Sequence, residues 1–225
     1  ESIMKSAHPI LRKMRYIRSV EEFIASVYRI GDIRCPVHLS IGQELAGALL
    51  GEYINSHTDS VYSAHRSHAH FLGLNGDLRK FFGELLGKAS GCAQGKGGSM
   101  HLISPDTGLK GAVPIVGSSI PMAVGDALGA KLSGCDGVSV ACLGDAATEE
   151  GIFFESLDFA SNANVPCLFL VENNKYSVFT PIGKRQRSAD RIRDLSIGIG
   201  VDYTKILRTM DLGRIIELVS QSIAK

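Results

Sequence analysis

None of the five cysteines, Cys35, Cys92, Cys135, Cys142 and Cys167, stands in a CxxC pair. That removes the spacing a paired redox or metal motif needs, and the odd count reads as core or surface thiols of a reducing compartment. Long apolar runs are missing too. None approaches the roughly 18 residues of a spanning helix, and the opening ESIMKSAHPILRKMR has no signal-peptide core. An excess of one charge is also lacking: 24 Lys and Arg face 23 Asp and Glu, for a net charge of +1. Nothing general therefore draws nucleic acid or an anionic membrane to this surface. The expected compartment is the bacterial cytoplasm or an organelle matrix.

What is present is an ordinary globular composition, 44% apolar and 21% charged over 225 residues. It suits one large α/β domain or two small ones. The 25 glycines cluster at 83–98 (GELLGKASGCAQGKGG) and 108–134, where close backbone approach matters more than side-chain packing. Ile10, Met14, Ile17, Ile24 and Val27 recur at helical spacing. Ser40 and Gln43 have the spacing of a capping box and predict a helix through about Ile54, so a helical segment is expected over about 7–54. Asp77 is placed to cap a helix over 78–88, and 211–224 predicts a last one. Residues 118–132 (SSIPMAVGDALGAKL) read as a slim helix, lined by Ala123, Gly125, Ala127, Gly129 and Ala130, for a buried packing or subunit contact.

The most informative stretch is 143–174, LGDAATEEGIFFESLDFASNANVPCLFLVENN. Val138–Leu143 and Pro166–Val171 are short apolar runs of strand type. Between them Phe153, Leu157 and Ala160 recur at helical spacing, with Ile152 and Phe154 widening the stripe. Strand, helix and strand within about 30 residues form a βαβ crossover of a parallel sheet. Both strands then point the same way, so Asp145 and Asn174 share the carboxyl edge, where open α/β sheets bind ligands. A carboxylate and an amide oxygen there are hard donors suited to Mg²⁺ or Ca²⁺. Mg²⁺ with few protein ligands completes its shell with water and phosphate oxygens, which suggests a metal-bridged phosphate. The plain alternative is that Asp145 caps the next helix and Asn173–Asn174 make a turn.

GDA, 26 residues, then NN resembles the thiamine-diphosphate motif of the GDG…NN type. CPVHLSIGQE, AHRSHAHFLGLNGDL, GKASGCAQGKGGSMHL, PIVGSSIP, GDAATEEGIFFESLDFA and ENNKYSV also occur in an order similar to that of alpha subunits of thiamine-diphosphate-dependent 2-oxo acid dehydrogenases, the pyruvate, branched-chain and acetoin enzymes. The resemblance covers about residues 10–190. It implies a thiamine-diphosphate-binding fold, a parallel sheet flanked by helices, carrying the diphosphate-binding half of the cofactor site over 1–225. Asp145, Asn174 and the backbone carbonyl of Tyr176 would then ligate Mg²⁺. Arg66 would hold the diphosphate, with His65, where many members have Tyr, beside it. Ala146 and Ala147 would offer amides at a helix N-terminus, and the backbone of Val116 would meet the aminopyrimidine. His38 and His68 would stabilise charge developing on the substrate. The implied chemistry is decarboxylation of a small 2-oxo acid and transfer of the acyl group to a lipoyl-bearing acyltransferase. The implied assembly is a heterotetramer of two alpha and two beta subunits, the beta subunit supplying the glutamate that acts on the aminopyrimidine. A transketolase-like half-subunit and a non-catalytic, cofactor-sealed assembly module are the alternatives.

This sequence departs from the pattern at Ala146, where a Gly is usual, and at Pro114. Members also continue past residue 225 into a strand and a loop bearing an active-site histidine, whereas no histidine follows His101. Against that pattern the chain is either truncated, lacking the family's C-terminal segment, or catalytically altered. Glu149 and Glu150 read as first-turn helix acids that point away from the diphosphate. His65, His68, His70 and His101 lack a clean zinc spacing. GCAQGKGGS fails as a P-loop, because Gly91 to Gly95 is one residue short and Gly97 follows Lys96. The basic run KRQRSADRIRD (184–194) reads as a solvated loop.

Overall fold

The computed structural model describes residues 2–223, with side chains from Pro9 onward. Its centre is a four-stranded parallel sheet of β1 (Ser60–Ser63), β2 (Leu109–Ala112), β3 (Ser139–Gly144) and β4 (Cys167–Glu172), in the order β2-β1-β3-β4. β3 is buried along SVACL, as a central parallel strand covered on both faces should be. Side chains alternate across a strand, and β3 serves two cores. Val140 and Cys142 join Val61, Leu109, Ile17, Ile24, Leu72 and Phe81 on one face. Ala141 and Leu143 join Ile120, Ala123, Phe153 and Leu157 on the other.

The first face is covered by α1 (Ser2–Val27), α3 (His68–Gly73) and α4 (Leu78–Leu85). Between α1 and α3 lies α2 (Glu44–Tyr53), which packs against both. The second face is covered by α5 (Ser119–Leu132) and α6 (Gly151–Ala163). Beyond the sheet come a two-stranded hairpin of β5 (Tyr176–Ser177) and β6 (Thr180–Pro181), a single turn α7 (Ile182–Arg185) and α8 (Arg191–Ile199), which lies on α6. α9 (Leu212–Ile223) returns to α1 and α2, setting Ile215 and Ile216 against Ile10, Ala48 and Leu49. Among the described residues no helix is long and apolar enough to cross a membrane.

The quoted βαβ unit and the helices at 118–132 and 211–224 form as expected, within about two residues. Asp77 caps α4, accepting from the amides of Arg79 at 2.7 Å and Lys80 at 2.9 Å, although α4 ends at Leu85. Within the helical segment expected over about 7–54, the helix of residues 9–30 and the one running to about Ile54 form as α1 and α2, but 31–43 is irregular and the capping box does not form, so α2 starts at Glu44. Tertiary bonds claim Ser40 instead: its amide donates to Glu21 Oε1 at 2.9 Å and its hydroxyl accepts from the Ala69 amide at 3.4 Å. In α5 the alanines Ala123 and Ala127 are buried, whereas a Cβ at Gly125 or Gly129 would meet open space. Small residues matter more between α2 and α3. A Cβ at Gly47 would stand 2.0 Å from the Ala69 carbonyl, and one at Gly73 would stand 2.0 Å from that of Gly47.

Candidate functional site

β1 has β2 on one side and β3 on the other, so the chain reverses its direction of travel between them. The carboxyl edge at that reversal is the switch point at which such sheets bind ligands. His65 and Arg66 follow β1, Val116 follows β2, Asp145 and Ala146 follow β3, and Asn174 and Tyr176 follow β4. The register pairs Gly144 with Glu172, so Asp145 leaves the sheet beside Asn173. β5, which begins at Tyr176, packs against the turn Asp145–Glu149.

That turn is a 3₁₀ segment, and α6 starts only at Gly151. Ala146 and Ala147 are therefore not at the first turn of an α-helix as expected. The chain folds a tight turn first, closed by the Thr148 hydroxyl donating to the Asp145 carbonyl at 2.6 Å. Ala146 is absent from the positive-φ residues, so its methyl group strains no backbone. Asp145 is buried to 1% exposure, while Asn174 and Tyr176 are exposed. Asn174 Oδ1 accepts from the Tyr176 amide at 2.9 Å, which folds the stretch after β4 into a turn. Val116 lies in an exposed loop held by Gly117, whose φ of +87° and tight fit against Ile152 leave no room for a side chain.

Arg66 donates to the carbonyl of Leu39 and so fastens the 38–40 loop to the end of β1. This loop sets His38 edge-on to His65, with ring centroids 4.8 Å apart. Burial first, then the Arg66 charge and His68, lower the pKa of His38. Burial, His38 and Arg66 do the same to His65. Both rings are held towards the neutral form.

His68 is placed differently from expectation. It is fully buried, with Nδ1 3.1 Å from Glu21 Oε2 and Nε2 2.7 Å from Ser99 Oγ. A ring committed at both nitrogens has no donor left for a substrate, so its geometry is that of a positioning residue. It ties α1 and the glycine-rich loop to α3. Glu84 fixes that loop from the other side: its Oε2 accepts from the amides of Ala93 and Gly95 at 2.7 and 2.9 Å, and its Oε1 from Gly97 and Gly98 at 2.7 and 3.0 Å. Burial opposes ionisation of Glu84, but the four amides outweigh it and hold the carboxyl below the usual range. A third tie joins β1 to β4. Ser63 Oγ is 2.7 Å from His70 Nδ1, and His70 Nε2 lies 3.1 Å from Glu172 Oε2, within ion-pair distance but without hydrogen-bond alignment. Among the described residues no three or more His, Cys, Asp or Glu side chains assemble to hold a metal, so the four histidines make no zinc cluster.

The basic run corrects another expectation in part: Lys184, Arg187, Ser188, Ala189, Arg193 and Asp194 are exposed as in a solvated loop, but Arg185, Gln186 and Arg191 are not. Arg185 reaches back from α7 to bridge the carboxylates of Asp145 and Glu149. Gln186 donates to Glu149 at 2.8 Å, and Arg191 donates to the Thr148 carbonyl at 3.0 Å with its guanidinium 5.1 Å from the centre of the Phe154 ring. Glu149 thus faces the strap, while Glu150 precedes α6 as its N-cap. The run looked solvated because nothing local in KRQRSADRIRD announces an acidic turn 36 to 40 residues earlier. Its one signal was charge complementarity with DAATEE.

The donor set fits a hard cation. A carboxylate offers about four lone-pair sites and an amide oxygen two, so Asp145 and Asn174 keep acceptor capacity beside their present partners.

Residues 12–211 match the family model described as dehydrogenase E1 component. The alpha subunit of acetoin:2,6-dichlorophenolindophenol oxidoreductase from Cupriavidus necator is 39% identical over 171 residues, covering 76% of this chain and 51% of that one. Its Bacillus subtilis counterpart is 36% identical over 201 residues, covering 87% and 60%. The mitochondrial pyruvate dehydrogenase E1 component subunit alpha of Pisum sativum is 36% identical over 177 residues, covering 79% and 44%. A solved structure from Mycobacterium smegmatis, described as a thiamin diphosphate-dependent enzyme, superposes with a TM-score of 0.55 at 15% identity, over 81% of this chain and 30% of that one. At that identity it shows the fold alone. The chain spans about half the length of the curated relatives it matches.

Proposed function

Because the chain belongs to the dehydrogenase E1 component family, we propose that it is the alpha subunit of a 2-oxo acid or acetoin dehydrogenase and carries the diphosphate half of the cofactor site. The family is thiamine-diphosphate-dependent, with Mg²⁺ its usual metal. The observation that carries the reading is the gathering of Arg66, Val116, Asp145 and Asn174 at the carboxyl ends of all four parallel strands.

In this reading Asp145, Asn174 Oδ1 and the Tyr176 carbonyl hold Mg²⁺. Arg66 has donors beyond the one given to Leu39, and its planar fork suits a diphosphate. The amides of Ala146 and Ala147 face the same anion, and the backbone of Val116 meets the aminopyrimidine. Thiamine diphosphate, when bound, supplies the carbanion and the electron sink. The protein contributes electrostatics around it. His65 and His38, kept neutral, present a ring N–H to the diphosphate side and to the substrate carboxylate without a full charge. His68 acts through Ser99 and Glu21, holding the loops in register. The aminopyrimidine side, with its glutamate, belongs to a beta subunit in a heterotetramer, and the acyl group passes to a lipoyl-bearing acyltransferase. The compartment is the bacterial cytoplasm or an organelle matrix. A non-catalytic module is the second reading, favoured by one observation: the Asp145 carboxylate is already ion-paired with Arg185.

The test is reconstitution of this chain with its beta-type partner, thiamine diphosphate and Mg²⁺. Reduction of an artificial electron acceptor by pyruvate, branched-chain 2-oxo acids and acetoin is then measured. Turnover with one of them that needs both chains and falls at least about a hundredfold on Arg66→Ala fits the proposal. A folded, cofactor-loaded mixture that turns over none of them makes the module reading the better one.

A further inference from the structure

Arg185 is the residue that the preceding reading leaves unexplained. Its side chain is 10% exposed, that of Asp145 is 1% exposed and that of Glu149 is 29% exposed. The guanidinium gives one nitrogen to each carboxylate, and its Nε donates to the Thr180 carbonyl at 3.3 Å. Gln186 adds a bond to Glu149, and Arg191 fastens the strap separately at Thr148 and Phe154. The stretch is therefore also held at Glu149, Thr148 and Phe154 by contacts that do not involve Arg185.

From this we infer that Arg185 is an internal counter-ion of the metal site, one that competes with the divalent cation for Asp145 and is released by the diphosphate. The inference rests on Asp145 being a metal ligand, as proposed above. A buried carboxylate without a partner is costly, and Arg185 removes that cost in the absence of metal. A cation arriving at Asp145 meets a positive charge already on the same carboxylate, so metal alone binds weakly. Diphosphate changes the balance. It presents paired anionic oxygens to a planar fork, an alternative partner as good as the two carboxylates. Arg185 then turns from Asp145 to the anion, and Asp145 becomes free for the metal. Metal and anion thus bind with positive coupling, and the coupling is reciprocal.

The experiment is Mn²⁺ titration followed by electron paramagnetic resonance, with and without inorganic pyrophosphate, on wild type, Arg185→Gln, Arg185→Lys and Asp145→Asn, each checked for folding by circular dichroism. Arg185→Gln is expected to tighten Mn²⁺ alone about tenfold and to lose most of the enhancement that pyrophosphate gives wild type. Arg185→Lys, a point charge that cannot bridge both carboxylates, shows the same change in smaller measure and serves if the Gln variant does not fold. Asp145→Asn abolishes Mn²⁺ binding. Equal Mn²⁺ affinity and equal enhancement in wild type and the folded Arg185 variants, with binding still lost in Asp145→Asn, overturns the competition and leaves the metal site standing. Binding indifferent to Asp145→Asn, or absent from every protein, removes the metal reading and the inference with it.

Discussion

His38 and His65 stand edge to edge beside Arg66, and that proximity sets their protonation. Both pKa values are lowered from the ordinary 6.5, so the folded state binds fewer protons than the unfolded state just below that pH. Stability is therefore present above the unfolded value and is lost as pH falls through the lowered folded values. A thermal melt series is expected to show the melting temperature dropping below about pH 6.5, and His38→Gln with His65→Gln is expected to flatten that drop. An unchanged slope in the double variant would assign the acid sensitivity elsewhere. The same scale shows why some side chains were legible in the sequence and others were not. Asp145 and Asn174 could be placed at the carboxyl edge because each closely follows an apolar run. Glu21, Glu84, His70 and Glu172 could not, because their partners lie 7 to 129 residues away. Arg185 belongs with them.

Among the elements, the βαβ unit was readable because its periodicities change from strand to helix and back within one window. β1 and β2 were not. SVYS and LKGA are four residues each, with no alternation long enough to register, and they become strands by pairing in the sheet. Ser40 and Gln43 gave a false start signal because buried bonds to Glu21 and Ala69 outweigh a local cap. The α2–α3 contact is sensitive to a single atom. Gly73→Ala places a methyl group 2.0 Å from the Gly47 carbonyl and forces the helices apart. It is expected to cost about 3 kcal/mol in urea unfolding, at the upper end of overpacking effects. Because α3 carries His68 and His70, the same variant is expected to weaken cofactor binding. A loss below about 0.5 kcal/mol would mean that the helices adjust freely.

At the scale of the molecule, helices on both faces leave the carboxyl edge of the parallel sheet as the place where four strand ends converge. We read residues 1–225 as one α/β unit that offers half a cofactor site. We propose that a second chain completes its open edge. The most direct measurement is calorimetric titration of thiamine diphosphate, at saturating Mg²⁺, into this chain mixed with its beta-type partner, beside an Asp145→Ala control. The account predicts one saturable site per chain, tighter in the mixture than in this chain alone and lost in the control. Binding that survives Asp145→Ala undiminished, or no binding by the folded mixture, would contradict it.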